Sequence, residues 1–103
     1  MELGEADANQ RRRVAVGEEV TLRLAENPST GFRWSEPDYD PNVLQYSSSE
    51  YEIGGTRPGA AGVRVVRLRA IAPGASWVRL RSGRPTVPGS PGERQYEVTI
   101  EVT

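Results

Sequence analysis

A chain of 103 residues with 13 basic and 14 acidic side chains has the length of a single domain, and it has no charge excess to attract nucleic acid or an anionic membrane. It contains neither cysteine nor histidine, which excludes disulfides, thiolate metal sites, cysteine nucleophiles and catalytic pairs of serine with histidine. Any enzyme activity would depend on carboxylates, tyrosines, arginines and hydroxyls. We therefore expect no cofactor, no metal, no nucleic acid and no membrane partner.

Alternation of apolar and polar residues predicts strands throughout the chain. The segment from Arg13 to Ala25 has period two and is divided by the turn-forming pair Gly17-Glu18, so it predicts two strands. Further alternating segments cover residues 32–35, 44–53, 66–70, 78–81 and 96–102. No segment of useful length has the spacing of an amphipathic helix. The sequence therefore predicts an all-β fold, an immunoglobulin-like antiparallel β-sandwich of seven to eight strands.

Residues 1–12 are polar and end in a basic run, and we expect them to form a flexible N-terminal segment. Residues 13–103 are expected to form the single immunoglobulin-like domain. No apolar run approaches the ~20 residues that cross a bilayer, and the first residues lack the features of a secretory signal. The chain as given is expected to be a soluble monomer. An exported or periplasmic native form whose leader was removed stays open.

The segment Asn-Pro-Ser-Thr-Gly separates two strand-like runs with residues that suit turns. Asn27 can bond to its own backbone, Pro28 fixes φ, and Gly31 accepts a positive φ. Ser29 and Thr30 add two hydroxyls. This composition predicts a rigid, exposed tip, which we call the first loop. A plain connection between two strands is the simpler alternative.

Two other connections are rich in Gly and Pro and are longer than chain reversal requires: residues 54–62, the second loop, and residues 83–92, the third loop. In an immunoglobulin-like sandwich, the connections between the second and third, fourth and fifth, and sixth and seventh strands can gather at one end. The tips of these loops carry only two formal charges, Arg57 and Arg84, and many backbone groups. We therefore predict a recognition edge suited to insertion into a groove.

One motif is similar to a known signature. Residues 27–32 and Trp34 resemble the Asn-Pro-Thr-Thr-Gly-aromatic-x-Trp motif of the chagasin-like inhibitors of papain-type cysteine proteases. The Gly-rich second loop, the Ala-Pro-Gly turn at residues 72–74, and Arg84-Pro85 where the family has Arg-Pro-Trp extend this resemblance over nearly the whole chain. The chain departs from the family pattern at Thr86, which stands where the family has that Trp.

The resemblance implies a reversible inhibitor of a papain-like (clan CA) cysteine protease, with the three loops inserted into the active-site cleft. It implies that the tip around Ser29 and Thr30 lies over the catalytic cysteine, and it assigns no catalytic residue to this chain. The implied protease-binding residues are Asn27, Pro28, Ser29, Thr30, Gly31, Phe32, Gly54, Gly55, Thr56, Arg57, Gly59, Gly62, Arg84, Pro85 and Thr86.

Three large aromatic residues receive separate predictions. Phe32 and Trp34 alternate onto one face, and we expect both to support the first loop from the core. Trp77 is expected on an outward face, covered by arginine side chains or by a partner.

A different function stays open beside inhibition. A non-inhibitory immunoglobulin-like protein-binding or adhesion module would keep the same fold, and Thr86 favours this alternative because buried aromatic residues are typical interface anchors. A carboxylate enzyme is disfavoured, because no pair of acidic residues falls in the predicted loop cluster.

Overall fold

The structure, a computed structural model, describes residues 1–53, 62–84 and 92–103. Its strands are β1 (Glu2–Leu3), β2 (Arg11–Val14), β3 (Glu19–Glu26), β4 (Arg33–Trp34), β5 (Asp38–Tyr39), β6 (Leu44–Glu52), β7 (Gly62–Ala70), β8 (Gly74–Gly83) and β9 (Arg94–Val102). Two short 3-10 turns lie at Glu5–Asp7 and Pro28–Thr30. Across these three described ranges, no helix has the length and apolar character needed to cross a membrane.

The strands form two sheets. One sheet has the order β1-β3-β7-β6, and the other has the order β2-β9-β8-β4, with β5 also paired to β8. Most neighbouring strands are antiparallel, but β1 pairs with β3 and β2 pairs with β9 in parallel. The predicted all-β, immunoglobulin-like sandwich is therefore confirmed. The described residues contain two short strands, β1 and β5, that the sequence did not predict, and the pairing is not purely antiparallel.

The inward residues of both sheets form one hydrophobic core, as the period-two pattern predicts. Strand β3 contributes Val20, Leu22 and Leu24, and β9 contributes Val98 and Ile100, all of them fully buried. These side chains fill the space between the sheets, and their close packing fixes the positions of the strands and of the loops that join them.

Residues 1–12, for which the sequence predicts a flexible segment, contain β1 and the first half of β2, which pair with β3 and β9. The side chain of Leu3 is buried in the core beside Leu22, its partner in the parallel pair of β1 with β3. The hydroxyl of Tyr96 donates a hydrogen bond of 2.9 Å to the carbonyl oxygen of Gly4. Burial of one apolar side chain, together with backbone pairing at the sheet edges, therefore anchors a segment whose composition is mostly polar.

Trp77 lies on the outer face of the second sheet, as predicted, and 41% of its surface is exposed. The guanidinium of Arg79 lies over its ring, 5.0 Å from the centroid, and the Nε of Arg79 donates to Glu97 over 3.1 Å. A cation–π contact held by an ion pair therefore covers part of this ring.

Candidate functional site

The strand ends that flank the three predicted loops lie together at one end of the sandwich. In the first sheet, Glu26 at the end of β3 pairs with Gly62 at the start of β7. In the second sheet, Arg33 at the start of β4 pairs with Gly83 at the end of β8. The indole Nε1 of Trp34 joins the two sheets here through a hydrogen bond of 2.9 Å to the carbonyl oxygen of Ala25. The predicted gathering is confirmed for these flanking residues.

Hydrogen bonds within the first loop fix its conformation. The side-chain Oδ1 of Asn27 accepts bonds from the amide of Ser29 over 3.1 Å and from its hydroxyl over 2.7 Å. The carbonyl oxygen of Asn27 accepts from the amide of Thr30 over 3.1 Å and from its hydroxyl over 2.8 Å. Asparagine at the start of a turn provides this kind of local capping. The loop is therefore held by its own polar groups.

Gly31 ends this turn with a backbone φ of +80°, in the region that favours glycine. A Cβ at this position would have no neighbour nearer than the Arg84 side chain at 3.8 Å, so the requirement for glycine is conformational and not steric. Ser29, Thr30 and Gly31 are all exposed. The loop thus presents backbone and hydroxyl groups on a tip whose shape is set before any partner binds.

Trp34 and Phe32 occupy different environments. Trp34 is buried in the core, as expected. Phe32 is only half-buried, and the guanidinium of Arg84 lies 4.7 Å from its ring centroid. The positive φ of Gly31 interrupts the extended chain, so β4 begins at Arg33 and the alternation does not reach Phe32. The expectation that both aromatic side chains support the loop from the core is therefore wrong for Phe32.

A buried carboxylate lies directly under the first loop. The side chain of Glu26 is 2% exposed, and its Oε1 accepts a hydrogen bond of 2.7 Å from the amide of Trp34. Its Oε2 accepts two bonds from Arg64, at 2.7 Å from Nη2 and 3.2 Å from Nε. The ion pair faces the interior, because both residues occupy the inward positions of their strands. Neither residue is predicted as functional from the sequence, although the period-two pattern of β3 and β7 extends to both.

Two further arginines, one in the third loop and one in the strand that follows it, contact the first loop or the strands that carry it. The Nε of Arg84 donates a hydrogen bond of 3.2 Å to the carbonyl oxygen of Thr30. Arg94 donates one of 3.1 Å to the carbonyl oxygen of Ala25, and its guanidinium lies 5.2 Å from the centroid of the Trp34 ring. The sequence predicts a role for Arg84 but not for Arg94.

These contacts border an open groove of about 360 Å³ beside the first loop. Its walls come from both sheets and from the loop itself. The lining residues are Ala25, Glu26, Asn27, Thr30, Phe32, Ser82, Arg84, Gly92 and Arg94.

Gly62, which the resemblance assigns to the protease-binding set, is a buried residue of β7. A Cβ there would overlap the hydroxyl of Tyr51 and the carbonyl oxygen of Glu52. This glycine therefore allows close packing of β6 against β7, and it offers no surface to a partner. The other assigned residues of the second loop and part of the third lie outside the described residues: Gly54, Gly55, Thr56, Arg57, Gly59, Pro85 and Thr86.

The described residues at this end of the sandwich carry groups suited to binding. In the described part of the chain, no group of three or more acidic, His or Cys side chains could hold a metal ion. Among the described residues here, the exposed groups include backbone amides and carbonyls, the hydroxyls of Ser29 and Thr30, and the side chains of Arg33, Arg84 and Arg94. A structured loop on a packed β-sandwich is typical of domains that bind other proteins through their loops.

The family of this domain follows from its sequence. The model of the chagasin family peptidase inhibitors (I42) matches residues 13–100, which is most of the chain. The protein therefore belongs to the chagasin family of peptidase inhibitors. It is an inhibitor and not an enzyme.

Solved structures share this fold. The cysteine protease inhibitor EhICP2 from Entamoeba histolytica superposes with a TM-score of 0.86 at 20% identity, covering 99% of this chain and 94% of that chain. PbICP-C, solved in complex with falcipain-2, superposes with a TM-score of 0.70 at 16% identity, covering 99% of this chain and 98% of that chain. At such identities the likeness establishes the fold. No curated protein sequence matches the chain.

Proposed function

We propose that this domain reversibly inhibits papain-like cysteine proteases by inserting its first loop into the active-site cleft. The support is family membership together with one structural observation. The exposed tip at Ser29 and Thr30 is locked by hydrogen bonds to Asn27 and ends at a glycine with positive φ. EhICP2 is described as a cysteine protease inhibitor, and PbICP-C was solved with falcipain-2, so relatives in fold act on this class of enzyme.

A preformed loop suits this role for two physical reasons. Its polar groups are already ordered, so docking costs little conformational entropy. The same internal hydrogen bonds keep the loop from adopting the extended conformation of a substrate. The tip can therefore occupy the cleft without presenting a peptide bond in the geometry needed for cleavage.

The binding edge that we propose includes more than the first loop. Arg84 and the groove beside Phe32 lie on the same end of the sandwich, and the flanks of the second and third loops converge there. We propose that the first loop fills the cleft while the other two loops contact its walls. The proposed contacts in the described residues are Asn27, Pro28, Ser29, Thr30, Gly31, Phe32 and Arg84.

Titration of papain with the purified domain tests this proposal. We expect loss of hydrolysis of a small fluorogenic peptide substrate, with submicromolar affinity and competitive kinetics. Dissociation should return both active papain and intact domain, as checked by mass spectrometry. Replacement of Thr30 and Gly31 together should abolish inhibition. Full papain activity at high domain concentration would instead support a protein-binding or adhesion module that does not inhibit.

A further inference from the structure

Glu26 and Arg64 form a charged pair in the interior of the sandwich, where apolar side chains are the norm. The carboxylate of Glu26 is 2% exposed and the Arg64 side chain is 20% exposed. Desolvation makes such a pair costly, and apolar residues of similar volume often stabilise a fold as well or better. Stability alone therefore gives a weak reason for these two residues to be here.

The contacts of the pair reach every strand end that leads into or out of the first and second loops. Glu26 ends β3, where the first loop begins, and its Oε1 binds the amide of Trp34 in β4, where the chain returns. Arg64 lies two residues after the start of β7, which follows the second loop.

The guanidinium of Arg64 also reaches β6, the strand that leads into the second loop. Its Nη1 donates over 3.5 Å to the hydroxyl of Ser49, and its carbon Cζ lies 5.9 Å from the centroid of the Tyr51 ring. One pair of side chains thus connects the ends of β3, β4, β6 and β7 across both sheets.

We infer that Glu26 and Arg64 are positioning residues for inhibition, an inference that rests on the proposed function. The carboxylate holds the two ends of the first loop at a fixed separation. The guanidinium holds these two strand ends against the strands that flank the second loop. Neither side chain needs to touch the protease, since the pair acts by setting the angle and height of the first loop relative to the second.

The variant Glu26→Gln tests this role with little change of shape. The amide oxygen of glutamine can still accept the hydrogen bond from Trp34, but the ion pair with Arg64 is lost. We expect inhibition of papain to weaken by at least tenfold, or about 1.4 kcal/mol, at a temperature where the variant is fully folded. Arg64→Met, which keeps the length of the side chain and removes its charge, should weaken inhibition by a similar factor.

The controls are Ile100→Val and Ile100→Ala, which truncate a fully buried residue near the other end of β9. Together they bracket the loss of thermal stability expected for the loop-end variants. Their inhibition constants should equal that of the wild type. If Glu26→Gln and a control of equal stability inhibit papain equally, the pair is merely structural and the inference is overturned.

Hydrogen exchange of the free domain gives a readout that needs no protease. In Glu26→Gln, the exchange rates of the Thr30 and Trp34 amides should rise by a larger factor than that of the Val98 amide in the core, which reports only the loss of global stability. Unchanged exchange at Thr30 would contradict the inference even if inhibition were weaker. Failure of the wild-type domain to inhibit papain would overturn the proposed function and this role together, whereas normal inhibition by Glu26→Gln would overturn this role alone.

Discussion

The variant Gly31→Ala separates the conformation of the first loop from the general stability of the domain. Gly31 has a φ of +80°, and a residue with a Cβ costs about 1–2 kcal/mol in the left-handed region. Because the atoms nearest to the added methyl group would be those of Arg84 at 3.8 Å, steric overlap adds nothing to this cost. We therefore expect the free energy of unfolding to fall by about 1–2 kcal/mol, or by less if the loop relaxes.

Gly17→Ala provides a matched control. Gly17 has a φ of +91° and no atom within 4 Å of a Cβ, so its backbone cost should be similar. It lies in the turn before β3, at the other end of that strand from the first loop. Its amide bonds to the carbonyl oxygen of Ala70 over 2.8 Å, which fixes this turn independently of the loops.

Urea unfolding and papain inhibition are measured on both variants. Both should lose comparable stability, but only Gly31→Ala should weaken inhibition, by about tenfold if relaxation of the loop removes roughly 1.4 kcal/mol of binding energy. Wild-type inhibition by Gly31→Ala would refute the role of the loop conformation. Equal weakening of inhibition by Gly17→Ala would show that stability, and not loop shape, controls binding.

Three further predictions concern two residues of the core, Leu3 and Tyr96, and Arg84 beside the first loop. Leu3→Ala should lower the free energy of unfolding, measured in urea, by about 2–3 kcal/mol because it leaves a cavity in the core. An effect near zero would mean that the N-terminal segment contributes nothing to the stability of the fold. Burial raises the pKa of Tyr96 from its usual 10.0 to about 12, so the folded state favours the neutral phenol. The contribution of neutral Tyr96 to the free energy of unfolding should be fully present below pH 10 and lost as the pH rises to about 12. The loss should be at most about 1.4 kcal/mol per pH unit. Tyr96→Phe should flatten that part of the stability curve, and an unchanged slope would assign the loss to other groups. Arg84→Lys keeps the charge but removes the planar contact with Phe32, and it should weaken papain inhibition about threefold to tenfold, whereas the exposed control Arg81→Lys should leave the inhibition constant unchanged.

The longer strands could be predicted from sequence because each has one buried face. Alternation in β3 and β9 follows directly from the position of Leu22, Leu24, Val98 and Ile100 between the sheets. The short strands β1 and β5 could not be predicted in this way, since two residues carry no period. Their pairing is decided by a neighbouring strand distant in sequence, as when Leu3 pairs with Leu22 in parallel.

The tip of the first loop could be predicted from its residues, because Asn27 and Gly31 have specific turn conformations. The base of the loop could not. Glu26 and Arg64 occupy inward positions that their charge would normally exclude, and their ion pair joins residues 38 positions apart. Alternation with Trp34 predicts that Phe32 lies in the core, because the sequence does not show the break in the strand that the backbone of Gly31 imposes.

Mapping of the bound surface tests the central claim most directly. Amide shifts of the labelled domain are recorded on addition of papain whose catalytic cysteine is replaced by serine, which permits binding without cleavage. We predict that the largest changes occur at Ser29, Thr30, Gly31 and Arg84, with little change at Gly17 or Trp77. Changes centred on Trp77 and the outer face of the second sheet, with the amides of the first loop unmoved, would contradict the account.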